Sequence, residues 1–347
     1  MAVRKTIAAV GLCLPLQVLA CDFPAGFFFR QEVNPGDLFV GRDAPIGSEI
    51  RPLRSDQVAF SSNYIRCALG TRFDVDSPMP KLFNSSLVPP GEVILQTRIP
   101  GIGVVVSAHI LAISGAPEMW TVVPGLGAMG FGVPHHLTLT GERVTSLIKM
   151  THLRYRIIKT GPIDPGMGPQ SLAGHTLAEF NHHTAGKVLE MVFTGGSINI
   201  ALCGLPSAPG TQISVPMGTW NTKQFSSEGS VTEHSPFSIP LRDCQAGTLS
   251  INPNFASLRL DPRNGSSVLD AQRGILGLNS DSDATGVGVQ VLKADLSPMP
   301  LTEEVQMIRM QNGDIQIPMA ARYIQIGKDA PVGGVANASV GFTLTYK

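Results

Sequence analysis

Residues 336–346 alternate without a break. Ala336, Ala338, Val340, Phe342, Leu344 and Tyr346 are apolar or aromatic, while Asn337, Ser339, Gly341, Thr343 and Thr345 are small or polar. A helix repeats its apolar positions every three to four residues, so a period of two dictates a strand with one apolar face. That face needs a sheet to cover it, which commits this end of the chain to a β architecture. Periodicity does not say whether the neighbouring strand comes from the same chain.

The rest of the 347 residues agrees. Glycine (37) and proline (27) are frequent, charged residues are only 15%, and apolar runs are short and bounded by turn residues. This combination points to an all-β protein. In the first half, strands are expected at 93–98, 103–113, 120–123, 136–140, 153–158 and 187–193. In the second they are expected at 198–202, 212–215, 237–241, 258–260, 287–292, 321–326 and 336–346. Residues 143–150 fit strand and helix equally. Both halves read as β-sandwiches or related antiparallel folds. Phe193-Thr194-Gly195-Gly196-Ser197 is a small, flexible joint between two apolar strands and marks a boundary near Gly195. The expected units are 21–195 and 196–347.

Residues 1–20 carry Arg4 and Lys5, then an apolar stretch from Thr6 to Leu19, and are expected to be a secretory signal peptide cleaved after Ala20. Its removal leaves 24 basic against 26 acidic residues, a net charge of −2. Near-neutrality argues against a nucleic-acid binder, which would need a basic face. Cys13 leaves with the signal, so Cys21, Cys67, Cys203 and Cys244 remain. An even count in an exported protein favours disulfides over acylation of Cys21. Four cysteines allow three pairings, and spacing favours the local pairs Cys21 with Cys67 and Cys203 with Cys244.

The second half resembles the pilin domain of chaperone–usher fimbriae. The residues that carry the resemblance are Cys203 and Cys244, Pro236-Phe237-Ser238-Ile239-Pro240-Leu241-Arg242-Asp243-Cys244, Gly286-Val287-Gly288-Val289-Gln290-Val291, Ala321-Arg322-Tyr323, Gly334 and Tyr346. The resemblance implies an immunoglobulin-like sandwich that lacks its last strand and accepts one from a partner. Ala338, Val340, Phe342, Leu344, Tyr346 and Lys347 would then form the groove for a periplasmic pilus chaperone and, later, for the strand of an adjacent fimbrial subunit delivered at an outer-membrane usher. An ordinary pilin is about half this length. The extra N-terminal unit implies a two-domain fimbrial tip adhesin with a host glycan or glycoprotein as its ligand. The alternative is a structural tip or initiator subunit without a receptor. In either case the chain is expected to be non-enzymatic, to need no cofactor and to reside at the fimbrium tip.

Other patterns carry less. Gly125-Leu126-Gly127-Ala128-Met129-Gly130 fits G-x-G-x-x-G, but Gly132 and Pro134 follow where a dinucleotide site needs a helix. Ser146-Leu147-Ile148-Lys149 and Lys159-Thr160-Gly161 match two β-lactamase motifs, yet they lie too close together for that architecture. His135, His136, His182 and His183 form two adjacent pairs, with His109, His152 and His175 nearby in sequence. Strand neighbours point to opposite faces, so a zinc site is only the weaker reading. For sugar binding, Asn63, Tyr64 and Trp120 are the candidates, with Asp74, Asp76 and Asp164 as further members.

Overall fold

The structure is a computed structural model. It describes residues 21, 23, 26–57, 65–68, 71–83, 85–112, 130–138, 145–164, 166, 168–206, 212–247 and 253–347. The expected signal peptide, the strand expected at 120–123 and most of the glycine-rich 125–130 stretch lie outside these residues, as do Asn63, Tyr64 and Trp120. Among the described residues the regular structure is almost wholly β. The strands of the first half are β1 (Phe29–Val33), β2 (Asp37–Gly41), β3 (Glu49–Gln57), β4 (Ile65–Ala68), β5 (Arg72–Asp76), β6 (Lys81–Leu82), β7 (Ile94–Gln96), β8 (Ile102–Ala112), β9 (Gly130–Gly132), β10 (His135–Thr138), β11 (Thr145–Lys159), β12 (Gln170–Ser171), β13 (Thr176–His182) and β14 (Gly186–Phe193). The second half contributes β15 (Ser197–Gly204), β16 (Ser235–Gln245), β17 (Phe255–Arg263), β18 (Val268–Asp270), β19 (Ile275–Leu276), β20 (Val287–Lys293), β21 (Glu304–Arg309), β22 (Gly313–Gln325) and β23 (Ser339–Tyr346).

In the first half a sheet ordered β1-β14-β13-β5-β10 faces a sheet ordered β3-β11-β8-β7-β6, with β4 and β9 attached to the second. Alternate residues of both meet in one core. Val75, Phe180, Met191 and Phe193 come from one sheet, and Val104, Leu153, Tyr155 and Ile157 from the other. Residues 102–107 of β8 are buried on both faces, because Val105 turns away from the main core to join Val88, Ile94 and Ile158 in a smaller one. This explains why its sequence reads as a continuous apolar run rather than an alternation. The ambiguous 143–150 stretch is strand from Thr145 onward and extends β11. Ser146 and Lys149 therefore sit on a strand and not on a helix.

In the second half β15-β16-β22-β20-β19-β18 form one sheet, with β12 of the first half on the outer edge of β15, and β21-β17-β23 form the other. Their core is built from Leu241, Leu258, Leu260, Val291, Ile317 and Met319. The disulfides join Cys21 to Cys67 and Cys203 to Cys244. One expectation fails: residues 212–221 form no strand. An alternating sequence holds a strand only where a neighbouring edge can complete its hydrogen bonds, and across from Gln212, Ile213 and Val215 lies an open groove instead.

The halves are joined by two adjacent chain passages. β1 runs parallel to β14 and β2 parallel to β15, so 29–41 and 189–201 cross together. Asp37–Gly41, from the first half of the sequence, thereby becomes a strand of the sheet that contains β15. Gly196 (φ +88) packs against Pro35, and the buried Arg51 donates to the Pro35 carbonyl. The left-handed backbone and the close contact both require glycine at 196.

Candidate functional site

The register of β23 follows from one reciprocal pair. Lys347 N–H donates to the Phe255 carbonyl at 3.0 Å, and Phe255 N–H donates back to the Lys347 carbonyl at 2.6 Å. β17 and β23 then pair antiparallel without a register shift from Ala256↔Tyr346 to Arg263↔Ser339. In an antiparallel ladder the hydrogen-bonded residues alternate. Thr345, Thr343, Gly341 and Ser339 therefore aim their main-chain groups at β17. Tyr346, Leu344, Phe342 and Val340 aim theirs at the opposite edge. No strand among the described residues pairs with β23 on that edge. The residues with outward-facing main chain are also those whose side chains lean on the core.

Beside this edge opens a groove of about 1340 Å³. One wall is β23 with the segment before it, including Ala338, Val340 and Phe342. The opposite wall is the irregular 212–220 segment with Ile213, Val215 and Trp220. Between them lie Ile239, Leu260, Val289 and Met319. The walls are fixed by polar contacts among residues that line the groove. Tyr323 Oη donates to the Ala336 carbonyl at 2.7 Å, and Trp220 Nε1 donates to Met217 at 2.6 Å. Burial raises the pKa of Tyr323, which keeps this phenol protonated as a donor. An exposed strand edge with unused N–H and C=O groups beside apolar pockets is built to take up another strand.

Ala338, Val340 and Phe342 thus line the groove, whereas Leu344, Tyr346 and Lys347 lie beyond it. Leu344 packs on the core. Tyr346 is only 2% exposed, and its Oη donates to the Cys203 carbonyl at 3.1 Å. Lys347 pairs through Nζ with Glu304 at 2.6 Å. Two features of this region had no counterpart in the sequence reading. One is the 212–220 wall of the groove as an unpaired segment, and the other is the Arg42-Asp43 turn on the β23 edge at Tyr346. The only sequence signal for the turn is the short apolar run Leu38-Phe39-Val40 ahead of it.

The first half holds the histidines on strands β10 and β13 and the turn after β13. His136 Nδ1 lies 2.7 Å from an Asp74 carboxylate oxygen on the exposed face. His135 is partly buried, and burial lowers its pKa. His182 is buried between Phe23 and Phe73, with each ring centroid at 5.1 Å. Its Nδ1 accepts from the backbone N–H groups of Thr184 and Ala185. His183 Nδ1 accepts from the Arg72 N–H at 3.2 Å. These nitrogens serve turns and strand edges, and among the described residues no three metal-ligating side chains converge. Asp76 pairs with Lys81 and Asp164 caps Gly166, so both serve local turns.

Burial, with the nearby His183, holds His182 at a pKa of about 4 against an ordinary 6.5. The folded pKa is the lower one, so the unfolded chain takes up a proton first as pH falls. The associated stability is present above pH 6.5 and is lost on acidification toward pH 4, to the extent of about 3 kcal/mol. Urea unfolding at pH 7 and pH 4.5 should reveal this decline, and His182→Asn, which can still accept from the turn, should flatten it.

Residues 206–347 match the family described as fimbrial protein. The fimbrial-like protein FimF of Salmonella typhimurium is 27% identical over 179 residues, covering 51% of this chain and 90% of that protein. The type-1 fimbrial protein A chain of Salmonella typhi is 25% identical over 154 residues, covering 44% and 79%. Among solved structures, the CupB6 tip adhesin of Pseudomonas aeruginosa is 16% identical with a TM-score of 0.37, over 94% of both chains. The receptor binding domain of the adhesin MrkD1P of Klebsiella pneumoniae is 18% identical with a TM-score of 0.35, over 53% of this chain and 98% of that one.

Proposed function

We propose, with the fimbrial-protein domain of residues 206–347 as premise, that the chain is a fimbrial tip adhesin assembled by strand acceptance. The fimbrial family consists of structural, non-enzymatic proteins. The observation that carries the reading is the outer edge of β23, whose Val340 and Phe342 offer main-chain groups with no strand partner beside an apolar groove. A periplasmic chaperone strand, and then the strand of an adjacent fimbrial subunit, would pair with this edge. The residues ahead of the fimbrial domain build a two-sheet sandwich with its own core, as a separate binding unit requires. Units 21–195 and 196–347 are accordingly assigned to receptor binding and to assembly, with Asp37–Gly41 lent by the first to the second. The assigned ligand is a host glycan or glycoprotein, bound weakly per site and strengthened by many fimbriae.

A glycan array probed with the full chain, its groove filled by a strand peptide, tests this assignment. Reproducible binding to a defined set of glycans is expected. Binding to none of them favours a structural tip or initiator subunit.

A further inference from the structure

The edge of β23 does not stay open along its whole length. After Gly41 the chain turns, and Arg42 N–H donates to the Ala201 carbonyl at 3.1 Å, the last bond of the parallel β2–β15 pairing. The next residue reaches β23. Asp43 N–H donates to the Tyr346 carbonyl at 2.9 Å, and an Asp43 carboxylate oxygen accepts from the Tyr346 N–H, also at 2.9 Å. Both outward-facing main-chain groups of Tyr346 are thereby used by the same residue. Arg42 holds that carboxylate in a bidentate contact of 3.0–3.2 Å, and its guanidinium lies 5.1 Å from the centre of the Tyr346 ring. It also reaches the Leu344 carbonyl at 3.4 Å.

The turn is fixed from its other side by the first half of the chain. Lys159, at the end of the long strand β11, is buried and donates through Nζ to the Ala44 carbonyl at 2.7 Å and the Arg42 carbonyl at 3.3 Å. Gly41 makes the approach possible, since a side-chain carbon there would collide with the Tyr346 carbonyl and the Lys347 backbone.

We infer that residues 41–43 are a built-in stop that closes the Tyr346 end of the open β23 edge from within the chain and sets the register of the incoming strand. The inference rests on the strand-accepting reading and adds to it. An extended partner with an apolar side chain at every second position can pair with Val340, Phe342 and Leu344, but not with Tyr346. The next step along β23 is occupied by Asp43, and sliding the partner onward would require breaking the bond from Asp43 N–H to the Tyr346 carbonyl and the bond from Tyr346 N–H to the Asp43 carboxylate. The strand partner is thus held to the span 339–344 by a segment of the first half.

Amide hydrogen exchange on the full chain, with and without a synthetic peptide of about twelve residues alternating valine and threonine, tests this. Without peptide, the Tyr346 amide should exchange on the order of 100-fold more slowly than those of Val340 and Phe342. Added peptide should protect Val340, Phe342 and Leu344 and leave Tyr346 unchanged. In Asp43→Ala the Tyr346 amide should become fast, and peptide should then protect it. Gly41→Val provides a second, steric way to displace the turn, and β22 amides report that the fold is intact. A Tyr346 amide as fast as Val340 in the unaltered chain, or unmoved by both substitutions, overturns the stop. If peptide protects none of Val340, Phe342 and Leu344, the strand-accepting reading fails instead, and Tyr346 alone then decides whether the turn closes the edge.

Discussion

A peptide with apolar side chains at every second position, added in trans, is expected to raise the melting temperature of the transition of the second-half domain by roughly 8–16 °C. The reasoning starts from the edge itself. Val340 and Phe342, with the Leu344 N–H, turn main-chain groups outward that exchange water for a partner strand, each bond contributing about 1 kcal/mol net. Apolar side chains entering between Ile213, Val215, Leu260 and Met319 each contribute about 1.5–3 kcal/mol when fully buried. Ordering the peptide costs about 1–2 kcal/mol per residue, which cancels most of the gross gain and leaves a few kcal/mol. Peptide at about 1,000 times its Kd then stabilises by about 4.1 kcal/mol. For a module of this size, each kcal/mol moves the midpoint by about 2–4 °C. Calorimetry of the full chain measures the shift. A control peptide with aspartate at the apolar positions should give none, because charges cannot enter those pockets without partners. An alternating peptide that leaves the transition where it was would mean that the edge of β23 accepts no strand.

What the sequence made legible and what it hid follow from the range of the forces involved. The alternation of 336–346 needs only local side-chain periodicity, so the strand β23 could be read directly, starting three residues late at Ser339. The length of β11 could not, because its first part carries Thr, Ser, Lys and His where an amphipathic strand would carry an apolar face. Gln212, Ile213 and Val215 mislead for the opposite reason: their alternation is genuine, but a strand also needs an edge to bond, and the groove removes it. The largest omission is β2 with its Arg42-Asp43 turn. Nothing local distinguishes Asp37–Gly41 from any short apolar run. Its parallel pairing with Ser197–Ala201 joins residues 160 positions apart, and no periodicity reports a contact of that range. The same limit applies to Asp74 and His136, whose pairing depends on β5 and β10 lying side by side.

The disulfide between Cys203 and Cys244 supports this arrangement more than its loop length suggests, and removing it is expected to cost both stability and strand binding. The bridge closes a separation of 41 residues, which in the chain-entropy account constrains the unfolded state by about 4 kcal/mol. It also stands where the sheet is weakest. β15 and β16 share only two registered pairs, Leu202↔Gln245 and Gly204↔Arg242, with a shift between them, and Asp243 there has a φ of +50. Few ladder bonds hold β15 against the body of the domain, so the covalent link fixes it. β15 in turn carries β2 on its other edge, and the Cys203 carbonyl accepts from Tyr346 Oη. A Cys203→Ala/Cys244→Ala chain should therefore melt roughly 8–16 °C lower and lose slow exchange at the Tyr346 amide. The Cys21→Ala/Cys67→Ala chain, which loses a separation of 46 residues in the first half, should lose a similar amount of stability while Tyr346 stays protected. Paired calorimetry and exchange measurements on the two variants separate these effects. Equal loss of Tyr346 protection in both would show that the bridge acts only through global stability and not through the β15 edge it fixes.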